Sequence, residues 1–248
     1  MNYKEAAMKT QNTFTTMPAA ARFAVVLFAI FGFAAVVYAV IFHMGFAPGR
    51  LFLLMAAASV CARAKVKLYK TSTISLLTAV VLLAIIQEGL ASALIVAVFG
   101  VMVQTVVPSR KMVLHQLAFN FGMIALTVTA TWFTHQSLAS ASTANPLSME
   151  AMATLIASFV YFLGNSMSVS LIIALTKKMS VAEVWLKHFV CAAPSFLLAG
   201  LLSLGVVAMF SSQSVAVVVA LVAVISLGYY SSVRLMRTPV VQELGVAK

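Results

Sequence analysis

Acidic residues are nearly missing from this chain. Only five occur among 248 residues, against sixteen lysines and arginines. Glu5 and Glu243 fall in the terminal segments, Glu183 lies among lysines, and Glu88 and Glu150 sit at the ends of apolar runs. No two carboxylates are paired for acid–base work, and neither Gly-x-Ser-x-Gly nor a phosphate-cradling glycine loop occurs, so no enzyme class has motif support. Cysteine is equally sparse. Cys61 and Cys191 lie in or beside apolar runs without a CxxC pair, and read as small apolar residues rather than a disulfide framework. The four histidines (His43, His115, His135, His188) show no HxxH or HExxH spacing, so neither a metal nor any other cofactor is implied.

Charge of either sign makes up 8% of the chain, where a soluble domain carries roughly a quarter. In its place, 63% of residues are hydrophobic and the mean hydropathy is +1.08. The apolar runs are too long and too many for one water-facing core, so the expected solvent and first partner is a lipid bilayer. A net charge of +11 would point to nucleic acid in a soluble protein. Here the cations fall in short gaps between apolar runs, with no basic stripe interleaved with aromatics, and nucleic acid is not an expected partner.

Runs bounded by charge, Gly, Pro or Ser/Thr clusters predict eight spans: 23–42, 50–63, 73–88, 90–107, 113–133, 151–175, 189–210 and 214–231. The predicted fold class is thus all-α, a polytopic membrane bundle, with residues 1–22 and 232–248 as cytoplasmic tails. The first span follows Arg22 directly and reads as an uncleaved transmembrane helix. The second and third are short against the ~20 residues of a full crossing, and are read as tilted, lengthened by snorkelling, or partly re-entrant.

Basic residues orient the bundle. With the N-terminus inside, Lys4, Lys9, Arg22, the loop holding Arg63, Lys65, Lys67 and Lys70, then Arg110, Lys111, Lys177, Lys178, Lys187, Arg234, Arg237 and Lys248 all lie inside. Only Arg50 is left outside. Omitting one span would flip every later loop, so the asymmetry predicts eight helices with both termini in the cytoplasm. The outer segment Thr134–Glu150, rich in Ser, Ala and Thr, reads as a flexible loop with a helix start at Ser148 or Met149.

Polar residues inside the spans are the candidate sites. Asn165, Ser166 and Ser168 lie in "YFLGNSMSVSLII", and Asn120 lies in "LAFNFGMIALTV". Serines bond the preceding turn of their own helix, whereas an asparagine amide needs a partner across an interface. Gly122 and Gly164 beside the amides would allow close approach, so an Asn–Asn or Asn–backbone clamp between spans five and six is the first expectation, and ligand binding the alternative. For Glu88, in "IIQEGLASA", one reading opens span four with a carboxylate at a positive helix end. The other is a cation- or proton-responsive group at a cavity mouth. The loop "CARAKVKLYKTST" satisfies topology, with binding of anionic headgroups or phosphorylated ligands as its second reading.

In order, "KVKLYKTSTISLLTAVVLLAIIQEGLASALIVAVFGVMVQTV", "HQLAFNFGMIALTV", "VYFLGNSMSVSLIIAL" and the amphipathic "SVAEVWLKHF" resemble the bacterial membrane-associated sensor (MASE-type) modules. Such modules precede HD-GYP phosphodiesterases and diguanylate cyclases. The likeness covers residues 50 to 205, with the family's helix asparagines falling on Asn120 and on Asn165 beside Tyr161 and Phe162. It implies membrane-embedded ligand sensing. Such modules feed a cytoplasmic output domain, and with the sequence ending at Lys248 the expectation is a free-standing version acting through a cytoplasmic signalling protein. A transporter, or a substrate-binding subunit working with an energising transport subunit, is the competing reading; a membrane enzyme acting on lipid is the third.

Overall fold

The computed structural model describes residues 13–45, 47–63, 65–69, 72–75, 77–109, 113–140 and 146–211. The eighth expected span, 214–231, and the C-terminal tail lie outside them. A single helical turn, Thr13–Thr16, is set off from helix α1 (Ala19–Phe42) by Pro18, whose ring disfavours helix at Met17. Helix α1 therefore starts four residues before the predicted span and takes Arg22 into its first turn. Helix α2 (Pro48–Arg63) follows.

The basic segment expected to be a loop is instead an antiparallel hairpin. Strand β1 (Lys65–Tyr69) pairs with β2 (Ser72–Ser75), Lys65 opposite Ser75 and Lys67 opposite Thr73. The third predicted span shortens accordingly to α3 (Leu77–Glu88), about 18 Å long at 1.5 Å per residue. Gly89, at φ +84, joins it to α4 (Leu90–Ser109) through a single residue, a conformation that suits glycine best. Leu77 lies against Gly100, so α3 and α4 run antiparallel.

Helix α5 (Leu114–Ala139) extends well into the predicted outer loop, and α6 (Pro146–Lys177) opens earlier than expected on Pro146, a favoured first-turn residue. The end of α6 is capped through Lys178, at φ 55, with the Met179 amide donating to the Ala174 carbonyl at 3.0 Å. A short helix, α7 (Val181–His188), falls in the predicted inner loop, and one 3₁₀ turn, Val190–Ala192, with α8 (Ala193–Ser211) occupies the predicted seventh span.

Helix α5 packs against α1, α4 and α6, while α8 packs on α3 and α6, and α2 on α4 and α3. The α1–α5 crossing is backbone against backbone. A Cβ at Gly122 would fall within the Phe28–Ala29 peptide, and one at Gly32 would fall on Gly122. Without a hydrophobic force between helices in lipid, such small-residue contacts supply the packing. Among the described residues four helices are long and apolar enough to cross a bilayer: Ala19–Phe42, Leu114–Ala139, Met149–Lys177 and Val190–Val207. Phe23, Ile30, Phe31, Phe33 and Phe42 are exposed along α1, as a lipid-facing helix requires. Near its C-terminal end an aromatic cluster gathers, with His43 edge-on to Trp132 at 4.6 Å and Tyr38 hydrogen-bonded to His43 at 3.3 Å. Aromatics of this kind favour the bilayer interface.

Candidate functional site

A cavity of about 360 Å³ lies between α1, α2 and α4, with one residue of α5 closing it. Val36 and Ala39 form the α1 wall, Met55 the α2 wall, Leu94 and Phe99 the α4 wall, and Phe121 closes the α5 side. Every lining side chain is apolar. Val40, Ile95 and Met102 on its rim are exposed, so it opens sideways, toward the surface that α1 presents. The cavity follows from the packing: α1 is drawn onto α5 at Gly32, while one to two turns further Val36–Val40 meet α4 across larger side chains. A site of this kind selects by shape and apolar area, at about 25 cal/mol per Å² removed from water. It offers no donor, acceptor or charge for chemistry.

The sequence-predicted polar residues do not meet at this cavity. The Asn120 amide donates to Thr105 Oγ1 at 3.1 Å, linking α5 to α4. The expected clamp between spans five and six is therefore not the one observed. Thr105 in turn donates to the Val101 carbonyl at 2.8 Å, so its hydroxyl donates along α4 and accepts from α5. Asn165 is half-buried, and its side-chain amide has no hydrogen-bond partner among the described residues. Gly164 does allow close approach, but to the Thr127 side chain on α5.

Ser166 has a role of its own. It is buried, donates to the Phe162 carbonyl at 2.7 Å, and accepts from the Trp185 indole at 2.9 Å. That bond ties α7 to α6, reinforced by the fully buried Val184 and by the Phe162 ring, tilted at 44° to that of Trp185 with centroids 6.1 Å apart. Ser168 bonds back to the Gly164 carbonyl at 2.6 Å and is satisfied within its own helix. Ser158 behaves likewise toward Thr154 at 2.7 Å, and its hydroxyl occupies the space that a Cβ on Gly200 would need, so α6 and α8 meet closely there.

Glu88 is the last residue of α3 and not the first of a following helix, which corrects the helix-opening reading. At that negative helix end its carboxylate is offset by Arg50, 3.2 Å away on α2. Arg50 is largely exposed while the Glu88 side chain is buried. The pair joins the one cation left on the outer side in sequence to an acid expected on that same side. Among the described residues no three His, Cys, Asp or Glu side chains come together to hold a metal.

Sequence reasoning missed the cavity because its lining is indistinguishable from core in composition. Its nearest signal is the pairing of small residues, Ala39 and Ala91, with the bulky Phe99 and Phe121 around one space. Sequence reasoning also missed the Ser166–Trp185 bond, although it marked both Ser166 and the amphipathic segment that carries Trp185. No family model matches this chain, and no curated protein or solved structure does either.

Proposed function

We propose that this chain is a ligand-binding sensory module of a bacterial inner membrane, crossing eight times with both termini in the cytoplasm. It takes an apolar molecule from the bilayer into the cavity between α1 and α4, and passes its state to a partner protein. The observation that carries this reading is the cavity: about 360 Å³, wholly apolar, and open sideways. A ligand held by shape alone needs no catalytic group, in keeping with the motif-poor sequence and with the sensor-module resemblance. The topology is supported by the cation asymmetry, by the Arg50–Glu88 pair joining two outer-side residues, and by β2 lying beside the turn Val190–Ala192, two segments assigned to the inner side. Helix α7, clipped to α6 through Trp185, is the element by which a cytoplasmic partner would read the bundle.

The test compares wild type with Leu94→Trp, which fills the cavity. Both are purified from the same membranes, and their bound apolar molecules are extracted and quantified by mass spectrometry. A species enriched on wild type and lost from Leu94→Trp, at unchanged thermal stability, is the expected result. Equal extracts from the two proteins contradict a ligand role for the cavity. Uptake of that species into sealed proteoliposomes by the purified chain alone would replace the sensor reading with the transporter one.

A further inference from the structure

Followed toward one end of the apolar cavity, its α1, α2 and α4 walls each lead to a polar group. On α1 the lining ends at Val40, and His43, hydrogen-bonded to Tyr38, comes three residues later. On α2, Arg50 precedes the lining residue Met55 by five residues, about 8 Å along the helix. On α4 the lining begins at Ala91, three residues after Glu88, so the backbones of the two lie no more than about 11 Å apart. The Arg50–Glu88 contact of 3.2 Å joins the last two groups at that end.

The opposite end is shut and carries no charge. There α1 meets α5 backbone to backbone at Gly32 and Gly122, next to Phe121. Thr105, one turn beyond Met102, accepts from Asn120 and donates to Val101. Between the two ends the α4 lining, Ala91 to Met102, runs about 16 Å. At about 360 Å³ the slot is at the small end of ligand sites and has room for one extended acyl chain. The ion pair at its open end is lopsided: the Arg50 side chain is 68% exposed and that of Glu88 only 6%. Glu88 thus holds the guanidinium from the buried side through Nη1 and leaves the rest of the donor fork turned outward. Among the described residues that fork has no other partner. Its planar donors match the oxygens of a carboxylate or a phosphate, whereas a cationic head would meet Arg50 before the buried Glu88.

We propose that the ligand of the cavity is a single-chain anionic amphiphile, its acyl tail lying along α4 and its carboxylate or phosphate head on Arg50. This rests on the ligand-binding reading given above and adds the chemistry of the head. The tail slips in sideways past the exposed Val40 and Ile95. The head stays at the level of Tyr38, His43 and Trp132, the aromatic cluster that favours the bilayer interface.

The test measures equilibrium binding to the full chain in phosphatidylcholine nanodiscs, corrected for uptake by empty nanodiscs. Laurate and lauroyl lysophosphatidic acid carry the two anionic heads, dodecanol an uncharged one, and dodecyltrimethylammonium the opposite charge. At least one anion should bind about tenfold tighter than dodecanol, and which of the two does so separates a fatty acid from a phospholipid fragment as the source. Arg50→Gln should abolish that preference with dodecanol binding unchanged, and Arg50→Lys should keep part of it. Leu94→Trp should remove the binding of anions and dodecanol alike. Four results overturn the proposal and leave an apolar ligand in the cavity standing: dodecanol bound as tightly as both anions, the ammonium bound tightest, an anion preference that survives Arg50→Gln, or dodecanol lost along with the anions in Arg50→Gln. Anion binding undiminished in Leu94→Trp would place the chain outside the cavity and overturn both readings.

Discussion

Helix α1 makes two contacts, one to two turns apart, that could hardly differ more. At Gly32 its backbone touches that of Gly122, with no space for even a methyl group. At Val36–Val40 it stands off from α4 and leaves an apolar cavity of about 360 Å³. Both contacts lie in the same lipid-facing helix and neither uses a polar group. Side-chain size alone separates them. In a bilayer, where burying apolar surface between helices gains little over burying it in lipid, the absence of a Cβ brings helices together. Bulk at Phe99 and Phe121 holds them apart and creates the cavity.

The largest expected effect comes from breaking the tight contact. Gly122→Leu drives a side chain into the Phe28–Ala29 peptide, and should lower stability by about 3 kcal/mol in detergent or prevent α1 from docking at all. Unfolding followed by circular dichroism checks this, and an unchanged midpoint would mean that α1 does not cross at Gly32. Next is Ser166→Ala, which strips the Trp185 indole of its acceptor. A loss of about 1 kcal/mol is expected, together with a change in tryptophan fluorescence as α7 loosens from α6. A smaller effect belongs to the α4–α5 link. Asn120→Leu should cost about 0.6 kcal/mol by removing the amide's bond to Thr105, read as a shift of the unfolding midpoint. Asn165→Leu should be nearly silent, since its amide bonds to nothing among the described residues. Arg50→Gln closes the series, with under about 0.5 kcal/mol expected for so exposed a partner and a dependence on salt that the buried contacts lack.

How far the sequence could be read follows the same division. Apolar runs and flanking cations locate most helices to within a few residues, because hydrophobic length and charge placement are what a bilayer selects for. Gly122 and Gly164 were legible as points of close approach, yet their partners were not. Gly122 faces α1, and Asn120 turns to α4, since residues on one helix point in directions that only the assembled neighbours define. The hairpin was read as a loop because four cations within eight residues obscure the alternation of Val66, Leu68 and Ile74. Glu88 was placed correctly at a helix junction but on the wrong helix, as a one-residue connection through Gly89 leaves no sequence gap to mark the boundary. The small-against-bulky pattern of the cavity residues is spread over three helices, because a void is a property of several helices together.

The contrast along α1 can be tested in the membrane itself with a photoactivatable alkyl diazirine, mapped by peptide sequencing. Leu94 and Ala91 are only 2% and 3% exposed, and lie behind the lipid-facing surface that carries Phe31 and Phe33. If the cavity admits hydrocarbon, Leu94 and Ala91 are labelled as well as Phe31 and Phe33, while Gly122 at the tight crossing is not. Labelling confined to Phe31, Phe33 and other outward residues, with Leu94 and Ala91 untouched, would contradict an apolar ligand site between α1 and α4.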